Sequence, residues 1–108
     1  MSPAYDRNRL VELFGDDAAT LAEIEREFLD AARSAHEEVC ETEDLETIAR
    51  AAHRLKGASG MIGADALSQV AAAVERAAHA HDLSSVRQLD ESFRHELAKI
   101  ASLMSGSR

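Results

Sequence analysis

An all-α fold, an antiparallel up-down-up-down four-helix bundle with a short extra N-terminal helix, is predicted by three features of the sequence. Apolar residues recur every three or four positions in four long segments, which gathers them on one face of a helix. The connections between those segments are short, which favours antiparallel neighbours. Alternating apolar runs and β-branched clusters, the marks of strands, are absent.

Leu10, Val11 and Phe14 mark the short leading helix, placed to cover one end of the bundle. The first long helix is expected over 18–41, with Leu21, Ile24, Phe28, Ala31, Ala35 and Val39 inward and acids behind them. Asp16 and Asp17 stand where a carboxylate caps free amides. The second spans 45–61, with Leu45, Ile48, Ala52, Leu55, Ser59 and Ile62 recurring at helical spacing, Asp44 as cap and Gly63 as stop. A third helix runs from about 65 to 81 and turns Leu67, Val70, Val74 and Ala77 inward. After a polar turn over 82–85, Ser85 and Gln88 form a capping-box pair for the fourth, whose stripe is Val86, Leu89, Phe93, Leu97 and Ile100. Residues 1–3 and 105–108 read as flexible tails of a single domain covering 1–108.

A chain of 108 residues can bury one core but cannot also house a nucleotide-binding catalytic domain of ordinary size. No GxxxxGK[ST] phosphate loop is present, so phosphorylation from ATP by the chain itself is not expected. With 45% hydrophobic residues, 30% charged and a single Pro, the composition is that of a compact helical protein rather than a disordered one. A net charge of -8 argues against nucleic acid or an anionic membrane as partner, because such a surface gains nothing from counterion release. The lone Cys40 cannot form an internal disulfide, and no signal peptide or long apolar run is visible, so a reducing cytoplasm is the expected compartment.

One stretch breaks the regular pattern. Residues 53–63 read HRLKGASGMIG, and Gly57 and Gly60 lie inside a helical run, where each costs about 1 kcal/mol relative to Ala. Local rules broken in an otherwise consistent sequence mark function. On the helix, Ala49, Arg50, Lys56, Gly57 and Gly60 share a face with His53, one step round from the apolar stripe. His53 is therefore expected on the exposed edge of the bundle, with the glycines clearing an approach for a second macromolecule. No acid occurs between Thr47 and Ala64, whereas Arg50, Arg54 and Lys56 do, a local island of three cations. Such an island suits a group that gains phosphate, whose oxygens seek Lys and Arg donors. A neutral imidazole is a capable nucleophile near pH 7, so His53 is the candidate nucleophile and Lys56 the charge beside it. Ser59 is a candidate support through packing or hydrogen bonding.

The run HRLKGASGMIGA resembles the signature of histidine phosphotransfer (HPt) domains, in which His is followed by Leu-Lys-Gly, small residues and a further Gly. The likeness continues through Leu67 and the Val74-Glu75 pair, and the length and helix order also fit. It implies a phosphorelay intermediate that exchanges a phosphoryl group with receiver-domain aspartates, fed by a hybrid sensor histidine kinase. The receiver supplies Mg²⁺ and most catalytic groups. By position, His53 matches the phosphorylated histidine, Lys56 the adjacent basic residue and Gly57 the clearance glycine. The implied docking surface is built of Ala49, Gly57 and Gly60, with Arg50, Arg54 and Lys56 facing the receiver's acidic pocket.

Two other readings stay open. One is a helical adaptor that docks on receiver or kinase domains through the same face without being phosphorylated. The other is a metal-binding bundle: His36 and Cys40, or Glu91 and His95, stand at i and i+4, yet neither a Glu-x-x-His pair nor an HExxH pattern occurs, and no metal site is expected. His79 and His81 read as surface residues near a helix end, Cys40 as a partly buried small residue. Four helices can close within one chain, so a monomer is expected.

Overall fold

Carboxylates start most of the helices. In the computed structural model, which describes residues 4–105 and of Ser105 only the backbone, the order is α1 (Arg7–Phe14), α2 (Ala18–Glu41), α3 (Leu45–Met61), α4 (Asp65–His79), α5 (Leu83–Gln88) and α6 (Asp90–Ser105). Asp6 accepts from the Asn8 amide at the start of α1, and Asp17 accepts from both the amide and the hydroxyl of Thr20 at the start of α2. Asp44 takes only the Thr47 hydroxyl, at 2.6 Å. No strand occurs among the described residues. The expected flexible tails fall outside the described residues, except Ser105, whose backbone closes α6.

The hydroxyls of Thr20, Thr47 and Ser85 hold Asp17, Asp44 and Asp82 below the ordinary aspartate range, with amide hydrogen bonds adding to the effect at Asp17 and Asp82. A folded-state value below the unfolded one gives stability that is present at neutral pH and lost as pH falls through the depressed folded value. Helicity followed by circular dichroism is therefore expected to hold through mild acid and to fall just below the ordinary aspartate range. Asp17→Asn should make unfolding free energy less dependent on pH in that window, and an unchanged slope would count against this cap.

The apolar stripes close one core cluster. Leu21, Phe28, Leu29, Ile48, Leu55, Leu67, Val74, Val86, Phe93 and Ile100 are buried, and Leu10 brings α1 onto the same cluster. The long helices form a ring in which α2 packs on α3 and α6, and α4 packs on α3 and α6. Pairing of Lys56 with both Ser68 and Glu75, and of Gly60 with Ser68, sets α3 and α4 side by side in antiparallel register. Among the described residues no helix is long and apolar enough to cross a membrane.

Several positions differ from the sequence reading. Ala31 is exposed, and Ala32, with Leu29 and Glu25, takes its place inside, because the inward stripe steps by four and three residues through 21, 25, 28, 32, 35 and 39, which puts Ala31 to one side of it. On α4, Ala71 and Ala78 occupy the interior while Val70 and Ala77 are half-buried, and the helix ends at His79. The fourth long helix is two pieces joined through Leu89, and its cap is Asp82 rather than Ser85. A charged carboxylate is the stronger acceptor: Asp82 takes the Ser85 amide at 3.0 Å and the Ser85 hydroxyl at 2.6 Å, leaving no role for the Ser85–Gln88 box. Buried Glu25 is held by the Tyr5 hydroxyl, which donates to it, and by Arg7 at 3.8 Å. Burial first, and that carboxylate second, push the Tyr5 phenol far above its usual range.

Gly63 ends α3 as expected. Its φ is +75°, its amide donates to Gly60 and the Ala64 amide reaches back to Ser59, the paired bonds of a Schellman stop. A Cβ there would lie 2.7 Å from Asp6 Cβ and 3.3 Å from the Asp6 nitrogen, because the segment before α1 hydrogen-bonds to the Ile62 carbonyl. Gly63→Ala combines left-handed strain with a backbone collision and is expected to destabilise by about 2 kcal/mol or more in urea. Gly15→Ala meets open space at φ +87° and should cost less. Equal losses would show that the Asp6 contact carries no weight.

Candidate functional site

The same periodicity that buries Ala52 and Leu55 turns His53 outward. Its side chain is 67% exposed on α3, beside the junction with α4. Across that junction Nδ1 of His53 lies 3.0 Å from Oε2 of Glu75, while the other oxygen of Glu75 receives Lys56 Nζ at 2.9 Å. His79, one turn further along α4, stands 3.6 Å from Oε2. Glu75 is only 15% exposed, so one nearly buried carboxylate gathers three basic side chains. Its carboxyl is held below the usual glutamate range chiefly by the Lys56 hydrogen bond, with His53 adding to it and burial opposing.

This contact orders the chemistry of the ring. A neutral imidazole has one N–H and one lone pair, and an Nδ1–H donated to a carboxylate leaves the lone pair on Nε2. In that tautomer Nε2 carries a free lone pair, which is what a nucleophile requires, and a carboxylate on Nδ1–H is placed to stabilise positive charge on the ring. Glu75 touches the ring at Nδ1 and Lys56 at Nζ.

Gly57 clears the approach. A Cβ built there has nothing within 4 Å, whereas one on Gly60 would meet Ser68 Oγ at 3.7 Å. Gly60 thus belongs to the packing of α3 on α4, and the open ground beside His53 is owed to Gly57. Ala49 is buried in the core and shows only a small part of its side chain to the surface. It floors an open cavity of about 570 Å³ that runs along His53, with Leu45, Arg50, Ala78 and His79 in its walls. Ser59 is fully buried and its hydroxyl has no hydrogen-bonding partner among the described residues, so its part is packing and not hydrogen bonding.

The expected cation island is neutralised. Arg50 pairs with Glu46 at 3.0 Å, Arg54 with Glu38 at 2.8 Å and Lys56 with Glu75 at 2.9 Å. Glu38 and Glu75 come from other helices and Glu46 lies just outside the acid-free interval, so a count along one segment cannot register them. Arg50 and Arg54 are about 60% exposed and their exchange with a partner's carboxylates is cheap. His79 and His81 lie at the end of α4 as expected, and both line the cavity. Cys40 is exposed, but burial of its sulfur and its bond to Asp90 push the thiol up to about 11, which leaves little thiolate for redox chemistry.

Glu75, which the sequence reading placed only as part of a resemblance and without a role, is the carboxylate that His53 and Lys56 share. Its signal is the Glu75/His79 pair one turn apart, which points at His53 only once the α3–α4 register is known. A family model described as Hpt domain matches residues 9–103. No curated protein and no solved structure matches the chain.

Proposed function

The chain belongs to the Hpt domain family, whose members are phosphocarriers of two-component phosphorelays, and from that premise we propose that it carries a phosphoryl group on Nε2 of His53. The group comes from the aspartyl phosphate of a receiver domain and leaves to the aspartate of a response regulator, with a hybrid sensor histidine kinase upstream. The observation that carries this reading is the exposed ring of His53 held through Nδ1 by Glu75.

In the forward step the Nε2 lone pair forms an N–P bond as the P–O bond of the aspartyl phosphate breaks and the electrons return to the carboxylate. Such transfer needs mainly in-line placement and neutralisation of the phosphoryl oxygens. Lys56 supplies charge at one turn's distance by exchanging Glu75 for the incoming oxygens. Mg²⁺ for the transfer is assigned to the acidic pocket of the receiver. The cavity beside His53, with Arg50 and Arg54 at its edge, is the docking ground for that receiver.

Incubation with a phosphorylated receiver tests the reading: the chain should acquire phosphate that is labile in acid and stable in base. A chain that binds the receiver and takes up no label would be an adaptor instead. Gly57→Ala sharpens the point. Added to an open helix face, the methyl should stabilise the fold by up to about 1 kcal/mol, yet slow transfer about tenfold by displacing the reacting atoms. Unchanged transfer would remove Gly57 from the contact.

A further inference from the structure

A second constellation lies on the other flank of the bundle, where α2 meets α6. His36 and Cys40 stand one turn apart on α2, and Asp90 opens α6 opposite them. His36 Nε2 is 2.7 Å from Asp90 Oδ1, Cys40 Sγ is 3.2 Å from the same oxygen, and Sγ and Nε2 are 3.4 Å apart. Three donors of different chemistry thus converge on one point, the imidazole and carboxylate half-buried and the thiol at the surface.

The surroundings hold each donor in place. The His36 ring packs against Phe93 with centroids 4.6 Å apart, which fixes the direction of Nε2. Arg94 Nε binds the other oxygen of Asp90 at 3.0 Å, so Oδ1 is the oxygen turned toward His36 and Cys40. Arg87, the other cation nearby, spends its donors on the carbonyls of Val39 and Thr42 and leaves the point of convergence free. Hydrogen-bonded support of this kind around nitrogen, sulfur and oxygen donors is what metal sites use to orient their ligands.

We propose that His36, Cys40 and Asp90 form a binding site for a single Zn²⁺ ion, with solvent as the fourth ligand. Mixed nitrogen, sulfur and oxygen donors suit Zn²⁺, whose tetrahedral edges are about 3.3 Å between nitrogen and oxygen and about 3.6 Å to sulfur. The donors need to open by only about half an ångström to reach those edges. On binding, the Cys40 S–H bond breaks and a Zn–S bond forms, the proton leaving to solvent, while the His36 proton moves to Nδ1 so that Nε2 can coordinate. The ion then ties the first residue of α6 to the last turn of α2 and closes the ring of helices at that end.

The test titrates the reduced, full chain with Zn²⁺ against a chromophoric chelator, and with Co²⁺ for spectroscopy. One ion is expected to bind at micromolar concentration, raise the melting temperature and give a near-ultraviolet thiolate-to-Co²⁺ band, while labelling of Cys40 by a disulfide reagent slows at least about tenfold. Cys40→Ser and Asp90→Asn should each weaken Zn²⁺ at least about tenfold, with helicity unchanged, and Cys40→Ser should lose the band. His53→Gln should bind as the parent does. No binding at these concentrations, Co²⁺ binding without the thiolate band, or affinity lost in His53→Gln and kept in Cys40→Ser would overturn the assignment.

Discussion

Replacing His53 with Gln is expected to abolish transfer, with labelling from a phosphorylated receiver falling at least about a thousandfold, as it does when a nucleophile is removed. The fold should survive, because two-thirds of the side chain is exposed and the substitution leaves a donor able to reach Glu75. Surface replacements of this kind shift stability by about 0.5 kcal/mol or less. Receiver binding should persist in the variant, which separates loss of chemistry from loss of docking. Persistent acid-labile label on the glutamine variant would move the phosphorylation site to another residue.

Loss of Glu75 comes next in size. Glu75→Ala removes the acceptor for Nδ1–H and lets the ring exchange tautomers and turn about its side-chain bonds. Transfer is expected to slow about tenfold to a hundredfold while the rate of receiver binding changes little. Glu75→Gln keeps an oxygen for the ring but loses the charge that steadies the forming phosphoimidazolium and that holds Lys56 at 2.9 Å. It should fall between the parent and Ala. A stability loss alone, with unchanged transfer by the folded fraction, would reduce Glu75 to a structural ion pair. Stopped-flow transfer and urea unfolding of both variants distinguish the two roles.

Much of this was legible from spacing. The bounds of α2 and α3 follow from apolar periodicity and from where carboxylates and Gly63 fall, because both are local properties of the chain. The outward position of His53 is local too, fixed by its offset from Ala52 and Leu55. What spacing does not carry is which residues meet across helices. Glu75 reaches His53 and Lys56, Glu38 reaches Arg54, and Asp90 reaches His36 and Cys40, each at a separation of 16 to 54 residues. Periodicity assigns a face but not the axial register of two packed helices, and a shift of one turn would pair different side chains. The island of cations was read along one strand of sequence and is neutralised from the neighbouring ones. For the same reason a two-donor hint at His36 and Cys40 gains its third member only in the folded ring. The Ser85 box failed differently: two capping schemes were available to the same stretch, and the aspartate three residues earlier binds the same amide more strongly.

The division of labour on one ring underlies the whole account, with Nδ1 committed to Glu75 and Nε2 open to the partner. Nitrogen-15 and phosphorus-31 correlation spectra of the phosphorylated chain read that division atom by atom. The phosphoryl group should be found on Nε2 of His53, with the Nδ1 proton still bonded to Glu75. Phosphate on Nδ1, or on any of the other histidines, would contradict it.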